Sequence, residues 1–136
     1  MTMYVLDSSA LIRYIDDEAG ADRVEEILSA CAGLRANAAV SAVQWGEVAG
    51  NLRKRFGALE EKRILSALLP SEAEIVPADG ERAVRAAALR VDRKIAYADA
   101  FAVNLAMDSP DHLLVTADYG FKDVADLARI EFLPQK

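Results

Sequence analysis

Apolar positions in this chain come in two periods. Met3 to Leu6 is a short continuous apolar run that ends at Asp7, with Ser8-Ser9 directly behind it. Such a run bounded by polar residues predicts a buried strand, and Asp or Ser at its end predicts a helix start. Leu11, Ile12, Tyr14 and Ile15 then supply the apolar face of a first helix, which Gly20 breaks. Val24, Ile27, Leu28 and Cys31 recur at i, i+3, i+4, i+7 and predict a second helix, with Cys31 in the core. Ala38 to Val40 is a strand candidate. Ser41 is placed to cap a third helix through Trp45, Val48 and Leu52, ended or bent by Gly57.

The alternation continues to the end of the chain. Leu59 to Leu69 reads as a fourth helix stopped by Pro70, and Glu74 to Val76 as a strand. Asp79 is placed to cap a helix with an apolar face of Val84, Ala87, Ala88 and Val91. Ala98 to Met107 is an alanine-rich helix. Ser109-Pro110-Asp111 is a turn, His112 to Thr116 a mostly apolar strand, and a polar turn with Gly120 follows. Ile130, Phe132 and Leu133 suffice for a last short strand. Strands that alternate with helices predict an α/β fold with a mostly parallel central sheet and helices on both faces. No repeat, linker or low-complexity stretch divides the chain, so residues 1–136 are expected to form one domain.

Composition narrows the setting. A single cysteine, Cys31, excludes an internal disulfide and fits a reducing compartment. The start of the chain has no basic segment leading into a long apolar run, and no stretch approaches the roughly 20 apolar residues that span a bilayer. The expectation is a soluble, cytoplasmic protein with no membrane contact. The balance of 16 Lys and Arg against 22 Asp and Glu gives −6, which on its own argues against binding nucleic acid. Acids gathered around a metal would not count against phosphate, however. The cations are also bunched, at Arg53-Lys54-Arg55 and at Arg90, Arg93 and Lys94. A solvated helix face explains those clusters equally well.

Ligands of open parallel sheets bind beyond the carboxyl ends of the strands. Asp7 follows the first strand, and Asp118 lies one residue past the Leu113–Thr116 run. If those strands are neighbours, both carboxylates enter one crevice. Asp99 starts the alanine-rich helix, and Glu47 lies inside the third helix. Taken singly, the three aspartates read as caps or turn residues and Glu47 as a surface residue.

The surrounding motifs make them a set. MYVLDSSAL, VQWGEV, YADAFAVNLA and LLVTADYGF resemble, in this order and across essentially the whole chain, the PIN-domain family, and more narrowly its VapC-type toxins. The resemblance implies a three-layer α/β/α fold and a metal-dependent endoribonuclease using Mg²⁺ or Mn²⁺. It carries the family's acids over to Asp7, Glu47, Asp99 and Asp118, with supporting hydroxyls at Ser9 and Thr116. On that reading Asp7 and Asp99 hold the principal metal. Asp118 and Glu47 complete its shell, hold a second metal or orient the attacking water. Oxygen-only ligands suit these hard cations rather than zinc. The implied partners are RNA, a cognate antitoxin and a second copy of the chain in a homodimer. An apolar groove between the first helices and the third or fourth is the expected antitoxin seat.

Other readings fit less well. A receiver domain would want a second acid beside Asp7 and a Lys after a late strand, where Ser8 and Ala117-Asp118 stand instead. A haloacid-dehalogenase-type phosphatase needs Asp at position 9, which is Ser. A non-catalytic RNA- or partner-binding module of the same fold remains the alternative. His112, the only histidine, begins its strand and should sit at the edge opposite the acids. Trp45, Tyr97, Phe101 and Tyr119 either stack on bases or pack in the core.

Overall fold

The computed structural model describes residues 1–136. Five strands form one sheet: β1 (Met3–Leu6), β2 (Asn37–Ser41), β3 (Glu74–Val76), β4 (His112–Thr116) and β5 (Ile130–Phe132). Their order is β3-β2-β1-β4-β5, and every pairing is parallel. The six helices are α1 (Ser8–Ile15), α2 (Ala21–Ala32), α3 (Ala42–Phe56), α4 (Ala58–Leu68), α5 (Gly80–Arg93) and α6 (Tyr97–Ala106). The polar turn expected after Thr116 is instead a short 3-10 helix, Tyr119–Val124, begun by the Asp118 carboxylate, which accepts from the Gly120 N–H.

Successive strand residues point to opposite faces, and both faces of this sheet are covered, which is why the strands read as continuous apolar runs. Leu6, Ala38, Val40 and Val115 pack against α1 to α4. Val5, Ala39 and Leu114 point the other way, against α6 and the 3-10 helix. The result is three layers, α/β/α. Helix α6 is buried from Ala100 through Ala106, as an all-round apolar helix must be. The alanines let its backbone lie close to the sheet. Side-chain caps stand where the sequence put them: Asp7 on Ala10 N–H, Ser41 on Val43 N–H and Asp79 on Arg82 N–H. Cys31 is buried in the core.

Helix α5 departs from expectation. Its Val84–Ala87–Ala88–Val91 stripe faces solvent, with Val84 71% and Val91 74% exposed. The face turned inward carries Ala83, Ala86 and Leu89, packed on Ala100 and Phe101 of α6. Two arginines on that same face fix the rotation. Arg82 donates to the Asn104 side-chain oxygen and to both carboxylate oxygens of Asp108. Arg93 donates to the Asp126 carboxylate and the Asp123 carbonyl. Two overlapping apolar stripes competed for the core, and the polar anchors decided between them. Val84→Lys should therefore change stability by less than about 0.5 kcal/mol, whereas Ala86→Leu should cost about 1–3 kcal/mol by overpacking. Chemical denaturation of the two variants measures both, and a large loss from Val84→Lys would contradict the observed rotation.

Candidate active site

The carboxyl ends of β1 and β4 lie side by side, with Leu6 in register with Val115. Asp7 leaves β1 there and caps α1. Its side chain is 2% exposed. Oδ1 accepts from the Ala10 N–H at 2.9 Å and the Ser9 hydroxyl at 2.8 Å, and Oδ2 accepts from the Thr116 hydroxyl at 2.6 Å. Each hydroxyl has one proton, and both are spent on Asp7, so Ser9 and Thr116 serve others only as acceptors. Ser9 Oγ accepts from the Ala117 N–H at 2.9 Å, and Thr116 Oγ1 from the Asp118 N–H at 2.9 Å. The two hydroxyls thus brace one carboxylate and hold the start of the Asp118 loop against it.

Burial pushes the Asp7 carboxyl up to about 6, against the lowering pull of Thr116, Ala10 and Ser9, and the charge of Asp99 adds to the rise. Asp99 lies in the first turn of α6, two residues inside the helix rather than at its cap. Its carboxyl is also raised to about 6, first by burial and then by the charges of Asp118 and Glu47. Asp99 is therefore the electrostatic hub: it feels each of the other three acids. Glu47 projects from α3 with its side chain exposed, its Oε1 accepting from the Ser8 hydroxyl at 3.1 Å. Asp118 is exposed at the head of the 3-10 helix.

None of these four carboxylates is paired with a lysine or arginine; the chain's ion pairs use other acids. The carboxylates share one mouth without closing on a point. No three acidic, histidine or cysteine side chains converge tightly enough to hold an ion. The donor set itself, all carboxylate and hydroxyl oxygen, fits a hard divalent cation.

The remaining sequence candidates fall elsewhere. His112 starts β4, away from the acids, with Nδ1 2.9 Å from the Leu105 carbonyl. A cavity of about 800 Å³ lies at that far end, lined by Met107, His112, Leu127 and Phe132 among others, and none of the four acids reaches it. Phe101 is buried, and Trp45 packs on the α1–α4 core. Tyr119 donates its hydroxyl to the Leu133 carbonyl at 2.7 Å and sets its ring edge-on to Phe132.

Two residues escaped the sequence reading. Ser8 starts α1 as expected, and its hydroxyl also reaches Glu47. Gln44 is fully buried at the root of the site. The signal for Gln44 was available: it stands four and eight residues before Val48 and Leu52, on the stripe that α3 turns to the core.

The comparisons agree with this fold. Among curated protein sequences none matches the chain. Similar solved structures include a VapBC complex from Rickettsia felis bound to a promoter DNA fragment, 18% identical, with a TM-score of 0.74 over 98% of this chain and 100% of that one. A toxin–antitoxin complex from Klebsiella pneumoniae is 22% identical, TM-score 0.71, over 98% and 99%. A sarcin-ricin-loop-cleaving VapC toxin from Mycobacterium tuberculosis is 15% identical, TM-score 0.72, over 96% and 99%. At these identities the likeness establishes the fold. The PIN domain model matches residues 4–127, a span that contains the four acids and both bracing hydroxyls, and the chain belongs to the PIN domain family.

Proposed function

We propose that the chain is a divalent-metal-dependent endoribonuclease and the toxin of a toxin–antitoxin pair. One observation carries the reading: four carboxylates share a mouth centred on Asp99, and none has a cationic side chain to balance it. Mg²⁺ or Mn²⁺ would supply that balance, an activated water and relief of charge on the phosphodiester. Asp7 and Asp99 would hold the ion, with Glu47 and Asp118 beside them. Asp7 suits the part because its orientation is set before any ion arrives: Ser9, Ala10 and Thr116 hold its carboxylate in one rotamer, and Oδ2 keeps acceptor capacity beyond the single Thr116 bond. Glu47, exposed on a helix surface, has the reach to turn toward substrate or ion.

Similar structures crystallised as toxin–antitoxin complexes support an antitoxin partner for this chain. A cleft of about 340 Å³ between α1 and α4, lined by Tyr14, Ile15, Arg63, Ile64, Ala67 and Leu68, would take an apolar segment of that antitoxin. The direct test is cleavage of a structured RNA by the purified chain. Activity should require added Mg²⁺ or Mn²⁺, disappear with EDTA and return when the metal is restored. Cleavage that survives exhaustive chelation would remove the metal-dependent reading. Absence of cleavage with any divalent ion, on total cellular RNA, would favour the non-catalytic module.

A further inference from the structure

Gln44 has no solvent exposure, and its side-chain amide ties together three elements of the site. Oε1 accepts from the backbone N–H of Ser8 at 2.7 Å, and Nε2 donates to the backbone carbonyl of Ala98 at 2.7 Å. The amide orientation is forced, because the flipped group would set donor against donor and acceptor against acceptor. Ser8 directly follows Asp7, and Ala98 directly precedes Asp99. Glu47 lies three residues beyond Gln44, one turn up the same helix.

We propose that Gln44 is the positioning residue of this site. Its amide sets the separation of the helix starts that carry Asp7 and Asp99 from the helix that carries Glu47. Through that separation it governs how well the carboxylates hold a divalent cation. The inference rests on the nuclease reading above.

Core packing alone does not call for glutamine here. Gln44, Val48 and Leu52 form one fully buried stripe of α3, and an apolar side chain at its head would escape the cost of burying an amide. Nor does satisfying Ala98 require it, since a carbonyl inside α6 has its helical partner four residues on. The second bond to that carbonyl is a tether. The first bond answers a different need. Ser8 N–H is an orphan donor of the first turn of α1, and Asp7 already caps Ala10. The Asp7 cap reaches the Ala10 N–H and not that of the next residue, so by taking the Ser8 N–H Gln44 anchors the α1 start to α3 rather than to water. All three backbone segments therefore meet at one fully buried side chain.

The test uses the full chain and Mn²⁺ alone as the probe. Gln44→Met keeps the shape and loses both hydrogen bonds. Gln44→Asn keeps an amide too short to span both partners. Ile27→Val, in the core on α2, is a packing control on a helix that carries none of the four acids. Mn²⁺ affinity is read by calorimetry without RNA, thermal stability by circular dichroism, and kcat and KM by RNA cleavage. We expect Gln44→Met to weaken Mn²⁺ binding about tenfold or more, and to lower kcat with little change in KM. Gln44→Asn should fall between it and the wild type, and carries the test if the Met variant fails to fold. Ile27→Val should lose stability and keep wild-type Mn²⁺ affinity. Wild-type affinity in Gln44→Met or Gln44→Asn, or an equal loss in Ile27→Val, overturns the positioning role and leaves the nuclease reading standing. A wild-type chain that neither binds Mn²⁺ nor cleaves RNA overturns both.

Discussion

Asp99→Asn should lower RNA cleavage by on the order of a thousandfold, about 4 kcal/mol of transition-state stabilisation, and make the metal-free protein more stable at pH 7. The two effects share one cause. Asp99 is a partly buried carboxylate that also faces Asp118 and Glu47, so its ionised form is unfavourable until a cation offsets it. Asparagine keeps the shape and removes the charge. The gain in metal-free stability is about 1 kcal/mol once the partial exposure of Asp99 is discounted. Asp7→Asn should abolish activity as fully, with the fold kept, because its hydrogen bonds can rewire. The amide oxygen can still accept from Ala10 N–H and Ser9, and the amide nitrogen can donate to Thr116, whose own proton then turns to Ser9, 3.2 Å away. Asp7→Ala has no such option. It removes the cap of α1 and strands the Ser9 and Thr116 hydroxyls, costing about 2 kcal/mol or more. Cleavage rates and denaturant midpoints of the three variants decide the matter. Metal-dependent cleavage retained in both Asn variants would sink the proposed roles.

The second large effect is on pH dependence. Asp7 and Asp99 both titrate near 6 in the folded chain, above the ordinary 3.8. A raised carboxyl pKa means the folded state binds the proton more tightly than the unfolded one. Its stabilising share is therefore complete below about pH 4 and is lost as pH rises through 6. The metal-free protein should become less stable from pH 5 to pH 7, by about 1 kcal/mol for buried Asp7. Below that window the trend reverses. Asp126 and Glu60, whose arginine partners hold their carboxyls below the usual range, begin to take up protons. Added Mn²⁺ should invert the upper limb, stabilising strongly at pH 7.5 and scarcely at pH 5, where protons compete for the same oxygens. Melting curves in EDTA and in Mn²⁺ across pH 5 to 8 would show this. A metal-free melting temperature that is flat or rising from pH 5 to 7 would contradict the burial of charge at Asp7 and Asp99.

Much of this architecture was legible in the chain. Strands buried on both faces appear as unbroken apolar runs, so Met3–Leu6 and His112–Thr116 were found, and the polar residues at their ends marked the crevice. Three helix caps were readable because Asp and Ser before an apolar period have one local explanation. Other features were not local. That β1 is central, with β2 and β4 on either side, follows from packing and from no single segment. The α5 rotation was misread because Arg82 and Arg93 find their acids on other elements, 26 and 33 residues away. The site showed the same division. Each acid stood in its own motif, yet Asp99 as hub emerges only from the approach of α3 and α6. Gln44 passed unnoticed because a glutamine's worth lies in the two backbones it meets.

The pairing of β1 with β4 carries a consequence for the order of synthesis. Asp7 is made at the start, and the Thr116 hydroxyl that braces it is 109 residues away. While the chain is still growing, β1 lacks the neighbour that completes its sheet, and Asp7, Glu47 and Asp99 have no Asp118 beside them. Under the proposed function, the growing chain has no assembled site for RNA until β4 and Asp118 emerge. A transcript truncated before β4 encodes no assembled site at all, but only an unpaired strand edge prone to stick to others.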